Sequence, residues 1–177
     1  MASNSALEKY VEAVSESKAG GRAPDRELMG KLISFFYPVH YRVGMDLESV
    51  MCQGRISRKQ AAILWLVHAG ADKNGWIRRK EIEERLTTWF EISNSNISKL
   101  LRELTKSPLS LLSQVENPLS GREKVVRLTR EGEIFVGSMF ESSIDYLQQT
   151  FSHLSAQDAE QGLNFFKLLF QQSDSNL

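Results

Sequence analysis

Residues 93–130 read SNSNISKLLRELTKSPLSLLSQVENPLSGREKVVRLTR, and the reading of this stretch decides the fold. Ile97, Leu100, Leu101 and Leu104 recur at the spacing of one helix face, with Ser93 or Ser95 available as N-cap and Pro108 as a stop. Residues 109–115 and 125–128 are short apolar-rich runs that predict two strands. The link from Glu116 to Lys124 contains Asn-Pro and Ser-Gly, so the two strands should close as a β-hairpin.

Upstream, Ser57 is placed to cap a helix through the apolar run 61–67, with Gly70 at its end. Asp72-Lys73-Asn74-Gly75 predicts a turn and Trp76-Ile77-Arg78 a short strand. Residues 80–89 predict another helix, with Ile82, Leu86 and Trp89 facing inward. Farther out, Leu28, Leu32, Phe36, Val39, Val43, Leu47 and Val50 keep helical spacing, while Pro38 predicts a kink or break near Tyr37. A loop at 19–24 and a short helix at 6–14 precede them.

Downstream, Val136, Phe140, Ile144, Leu147, Phe151 and Leu154 mark one face of a long helix. Ser155 and Asp158 then form a capping-box pattern, and Leu163, Phe166 and Phe170 mark a last helix. The expected fold is mainly α with a small β-hairpin wing. It is a winged helix-turn-helix, residues 55–130, flanked by long dimerisation helices at 25–54 and 131–177, with residues 1–24 as an N-terminal extension.

In such a fold the second short helix enters a major groove, and the ribbon tip reaches the backbone or a minor groove. The side chains at those points suit the task. Ser93, Asn94, Ser95, Asn96 and Ser98 open the helix with hydroxyls and amides, and Lys99 and Arg102 stand beside them. Asn can pair with an adenine edge, and Ser can serve bases or phosphates. Caps account for one or two of these residues, not for Ser98 and Lys99 on the next turn. Arg122 and Lys124 sit at the hairpin tip, where cations suit phosphates or the negative potential of a narrow minor groove. Arg78, Arg79 and Lys80 start a helix where cations oppose the dipole, so phosphates or another partner should favour them.

The formal charge of zero, from 22 basic and 22 acidic residues, conceals a pattern. Residues 1–54 carry 6 basic and 7 acidic side chains, residues 55–130 carry 15 and 8, and residues 131–177 carry 1 and 7. A basic middle beside an acidic flank is the asymmetry expected when one region faces phosphates.

Other function classes find little support. The three histidines, His40, His68 and His153, fall in no metal-binding pattern, and no nucleophile elbow, phosphate loop or dinucleotide fingerprint occurs. An enzyme, a cofactor and a resident metal are therefore not expected. No run of about 18 apolar residues suggests a membrane span, and the first 16 residues do not resemble a secretory signal. The single cysteine excludes an internal disulfide, and the expected compartment is the cytoplasm. Cys52 is expected as an inert small hydrophobe, the alternative being an oxidant sensor. Phe35, Phe36, Tyr37, Tyr41 and Trp65, with His40 and His68, are expected as core, the alternative being the lining of an effector pocket. The main rival to DNA binding is a winged helix used as a protein-interaction module.

The pieces together resemble the multiple-antibiotic-resistance regulator (MarR) family of bacterial transcription factors over about residues 28–172. The matching motifs are Ile56-Ser57-Arg58-Lys59-Gln60 with Leu64, Lys80-Glu81-Ile82 with Leu86, Ile92-Ser93 through Leu104, and the wing from Arg122 to Gly132. The resemblance implies a homodimer built from terminal helices, a pseudo-palindromic operator in double-stranded DNA, a repressor role, and release by a small phenolic or oxidising effector. The chain departs from the family at Ser120, where an acid usually ties the wing tip. It departs also at Ser107-Pro108-Leu109, where Gly-Leu is common, at Pro38, and in residues 1–24.

Overall fold

The computed structural model describes residues 24–117, 120, 121 and 123–173, with residues 170–173 described as backbone. Arg122, the side chain of Phe170 and the expected helix at 6–14 therefore lie outside the described residues. Helix α1 spans Arg26–Pro38 and opens on Asp25, whose carboxylate accepts Leu28 N at 2.9 Å. It runs through a π-helical segment, Val39–Gly44, into α2, Met45–Cys52. Then follow α3 (Arg58–Gly70), β1 (Ile77–Arg78), α4 (Arg79–Trp89), α5 (Asn94–Thr105), β2 (Leu112–Glu116), β3 (Lys124–Leu128), α6 (Arg130–Thr150) and α7 (Ala156–Ser173).

The three strands form one antiparallel sheet in the order β1-β3-β2, with Ile77 opposite Val126 and Gln114 opposite Val126 on the other side. The central β3 carries two buried valines, Val125 and Val126, and shields the lower core from the side. Ile63, Leu64 and Val67 of α3, Ile82 and Leu86 of α4, and Ile97, Leu101 and Leu104 of α5 meet there. Phe135, Val136 and Met139 seat the first turns of α6 on the same core. The recognition-helix candidate α5 is thus fixed by three side chains at most 1% exposed, which leaves its opposite face to solvent.

Local chemistry sets the helix starts. Ser57 accepts Gln60 N at 3.3 Å, and the Gln60 carboxamide oxygen accepts Ser57 N at 2.8 Å, a complete capping box. Ser155 and Asp158 make the equivalent exchange, and the two Ser155 donors hold the Asp158 carboxyl below its usual range.

Several expectations are corrected. Pro38 ends the α-helical geometry of α1 but does not break the helical run. The chain continues as a π segment, Met45 N bonds to His40 O, and the Tyr146 hydroxyl donates to Arg42 O at 3.2 Å and Val43 O at 3.4 Å. The wider turn absorbs the missing N–H, and α6 supplies a donor for the loosened carbonyls. Trp89 does not face inward: it is 52% exposed, because the core ends one turn earlier at Leu86. Phe35, Phe36, Tyr37 and Tyr41 are not core of this chain, being 67, 64, 63 and 55% exposed. No side chain of α1 is buried, so its apolar stripe has no partner within the described residues. Phe151 and Leu154 lie past the end of α6, in the exposed link to α7.

The wing is bound to α6 through one junction. Thr129 N donates to Leu111 O at 3.0 Å, Thr129 Oγ1 donates to Ser110 O at 2.7 Å, and Gly132 N donates to Thr129 Oγ1 at 3.0 Å. A Cβ on Gly132 would stand 2.0 Å from the Leu111 carbonyl oxygen, a backbone atom that cannot swing aside. Gly132→Ala should therefore destabilise the fold by about 3 kcal/mol or more, at or beyond the usual overpacking cost. Urea denaturation checks this, and a loss under about 1 kcal/mol would show that the junction can shift.

Candidate nucleic-acid interface

The N-terminal half of α5 carries Ser93, Asn94, Ser95, Asn96, Ser98 and Lys99, with Arg102 in the last turn, but their side chains are not equally free. Ser93 caps the helix by accepting Asn96 N at 3.4 Å and shares a 2.9 Å contact with the Ser95 hydroxyl. The Ser98 hydroxyl donates to Asn94 O at 2.8 Å and accepts Arg79 Nη2 at 2.6 Å. Among the described residues the side-chain amides of Asn94 and Asn96 have no partner, and both residues are exposed. Each amide offers a donor and an acceptor side by side, the pattern that matches an adenine edge.

The cations divide the same way. Arg79 Nε lies 2.7 Å from Glu83, Lys80 lies 3.6 Å from Glu84, and Lys99 lies 4.0 Å from Glu103. The first two pairs answer why α4 starts with cations: acids one turn on offset their conflict with the dipole. Arg78, Arg102 and Lys124 have no acid partner among the described residues, and all three are exposed. These cations remain available to phosphates.

At the hairpin, Glu116 stands opposite Lys124 in the strand register, with no ion pair between them. The turn closes by Ser120 N and Gly121 N donating to Asn117 O at 3.1 and 2.9 Å. The Ser120 hydroxyl accepts Glu123 N at 3.2 Å. Ser120 thus braces the tip by a side-chain to backbone bond, where the resembled family uses an acid.

Two tethers were not legible as site features. Arg79 joins α4 to α5 through Ser98, and the carboxamide of Gln60, 7% exposed, donates to Glu103 at 3.0 Å, joining α3 to α5.

Cys52 is buried, and burial raises its thiol pKa; the Arg58 charge lowers it in part, while Glu48 raises it further. A protonated, enclosed thiol supports the inert reading. Beside it lies an apolar groove of about 820 Å³ between α2, α3, α4 and α6. Its walls include His40, Tyr41, Trp65, Trp89 and Phe140, with the Glu48–Arg58 pair at 3.6 Å on one side. Phe35, Phe36 and Tyr37 do not line it, and His68 stands on the other side of Phe140, ring centroids 5.2 Å apart. Among the described residues no cluster of His, Cys, Asp or Glu could hold a metal ion, and no helix is long and apolar enough to cross a membrane.

The Arg79–Ser98 bond is measurable by a double-mutant cycle with Arg79→Ala and Ser98→Ala in urea. Charge-assisted bonds at partly exposed sites should couple by about 1 kcal/mol. Strict additivity would show that Ser98 is free to face a ligand instead.

Comparison with known proteins agrees with this geometry. Residues 56–132 match the family model described as a winged helix DNA-binding domain. The fold is similar to wild-type MarR from E. coli, TM-score 0.62 at 18% identity over 85% of this chain and 98% of that one. It is similar to YusO from Bacillus subtilis, TM-score 0.59 at 18% identity over 84% and 98%. It is also similar to a point variant of MepR from S. aureus bound to an oligodeoxyribonucleotide, TM-score 0.55 at 20% identity over 80% and 97%. No curated protein matches the chain in sequence. The chain therefore carries a winged-helix DNA-binding domain at residues 56–132, set within the fold of the MarR-type regulators.

Proposed function

We propose that the chain is a sequence-specific, double-stranded-DNA-binding transcriptional regulator, a cytoplasmic repressor that works as a homodimer. The observation that carries this reading is the pair of unpartnered amides, Asn94 and Asn96, on a helix locked to the core, with Arg78, Arg102 and Lys124 unpaired around it. Helix α5 lies in the major groove and its amides read base edges; Ser93, Ser95 and Lys99 flank them at the backbone. Lys124 and Arg122 on the wing meet phosphates or a minor groove. Ser98 holds the reading helix in place through Arg79.

The division of labour follows the fold. Residues 55–130 read DNA, and residues 25–54 and 131–177 dimerise. The support is the exposed apolar face of α1 together with Leu163, Phe165 and Phe166 of α7, at 50, 43 and 54% exposure. Twofold symmetry then calls for a pseudo-palindromic operator. The apolar groove beside Trp65 and Trp89 takes a small effector that alters the spacing of the two lobes.

The test begins with selection of bound fragments from random duplex DNA. Asn96→Ala should then lower the ratio of specific to non-specific affinity, by about 1–3 kcal/mol if a bidentate base pair contact is lost. Non-specific binding should hardly change. A full ratio retained by Asn94→Ala and Asn96→Ala would remove α5 as the reader. Leu163→Asp with Phe166→Asp should convert a sedimenting dimer to a monomer. A wild-type chain that enriches no sequence and sediments as a monomer would favour the protein-interaction module.

A further inference from the structure

Among the described residues Gln60 is the one polar side chain buried in the core. Its carboxamide has no freedom left. The oxygen accepts Ser57 N at 2.8 Å and the Ser57 hydroxyl at 3.0 Å, so the nitrogen must point away from the cap of α3. It donates across to α5, to Glu103 Oε2 at 3.0 Å. A buried donor left without a partner costs more than a made bond returns, so the amide requires this acceptor.

Glu103 is an odd residue for its place. It is a carboxylate on the helix assigned above to DNA, where a cation or a neutral side chain would suit phosphates better. Its ion pair with Lys99 spans 4.0 Å between exposed side chains, which adds little. The bond to Gln60 accounts for the acid. Ser98 and Glu103 are five positions apart, so they stand about 140° apart around the helix axis. Ser98 accepts Arg79 from the α4 side, and Glu103 accepts Gln60 from the α3 side. Ile97, Leu101 and Leu104 hold the helix from behind, but apolar contacts have no direction and set its roll only loosely. Two directional bonds on opposite flanks fix that roll, and with it the places of Asn94 and Asn96.

We propose that Gln60 and Glu103 are positioning residues for DNA reading: the cap of α3, relayed through the Gln60 carboxamide, sets the roll of α5 and so the match of its amides to base edges. The inference rests on α5 as the reading helix. It adds that specificity depends on a bond that touches no DNA.

Two variants of equal charge separate the bond from the charge. Glu103→Gln keeps an acceptor for Gln60, Glu103→Ala removes it, and both lose the same negative charge. The Glu103 side chain is 43% exposed, so neither variant opens a cavity in the core. The full chain is titrated onto a duplex selected from a random pool and onto an unselected duplex. The Gln60 side-chain amide is followed by NMR without DNA. Glu103→Gln should keep the ratio of specific to non-specific affinity within about twofold of wild type, and Glu103→Ala should lower it about tenfold, the scale of one charge-assisted hydrogen bond. On the unselected duplex the two variants should agree. The Gln60 amide should exchange slowly with water in the wild-type chain, a readout that needs no variant, and should lose that protection in Glu103→Ala alone. A bond that is merely structural would lower the urea midpoint of Glu103→Ala and leave the ratio intact, which overturns the proposal. Equal ratios in the two variants, or a Gln60 amide that exchanges fast in the wild-type chain, overturn it too. A wild-type chain that enriches no duplex overturns the DNA reading and this inference with it; one that reads an operator while the two variants match overturns the inference alone.

Discussion

The first turn of α6 rests on the carbonyl oxygen of Leu111, and the rest of the molecule depends on that contact. Thr129 donates its N–H to that oxygen and its hydroxyl proton to Ser110 O, and the missing side chain of Gly132 allows the approach. The connection is short and stiff. On one side lies the strand that follows α5, on the other the helix that carries Phe135, Val136 and Met139 into the core. The wing, α5 and the start of α6 are therefore held in one arrangement. A lobe fixed this way keeps its reading face at a set angle to whatever α6 joins.

Charge completes what packing begins. The basic excess of the middle segment is partly cancelled within single helices: Arg79, Lys80 and Arg85 each face a glutamate on α4. Part of the surplus left to act on a partner stands beside α4, on α5 and on the wing, at Arg78, Arg102 and Lys124. Exposed pairs of this kind add little to stability. Their effect is to select which cations are free.

Sequence reading succeeded where the physics is local. The box at Ser155 and the cap at Ser57 involve residues three apart, and Ser93 was one of two caps the pattern offered for α5, so the sequence came close to locating them; the Thr129 cap was not read from it. The winged-helix order was legible for the same reason, each element having its own period and stop. Where it failed, the deciding atom was distant in the chain. The bond from Arg79 to Ser98 was not legible because the two residues lie 19 apart. Trp89 sat in phase with Ile82 and Leu86, and period cannot reveal where a core ends. An apolar stripe such as Leu28, Leu32 and Phe36 announces burial without naming the surface that buries it.

The π segment in the first long helix has a geometric outcome. A turn closed between residues five apart holds about one residue more than an α turn, so the side-chain frame after it is offset by roughly 100°. The run from Leu28 to Val50 is in step along the sequence, yet its two halves need not look the same way. Val43, Leu47 and Val50 are half-buried against the lobe, whereas Leu28, Leu32, Phe36 and Val39 are open to solvent. The helical run thus presents one face to the lobe and leaves another exposed, and the π segment between them carries His40 and Tyr41 on the wall of the apolar groove. A molecule lodged there touches the joint at which the two allegiances of the helix are set against each other.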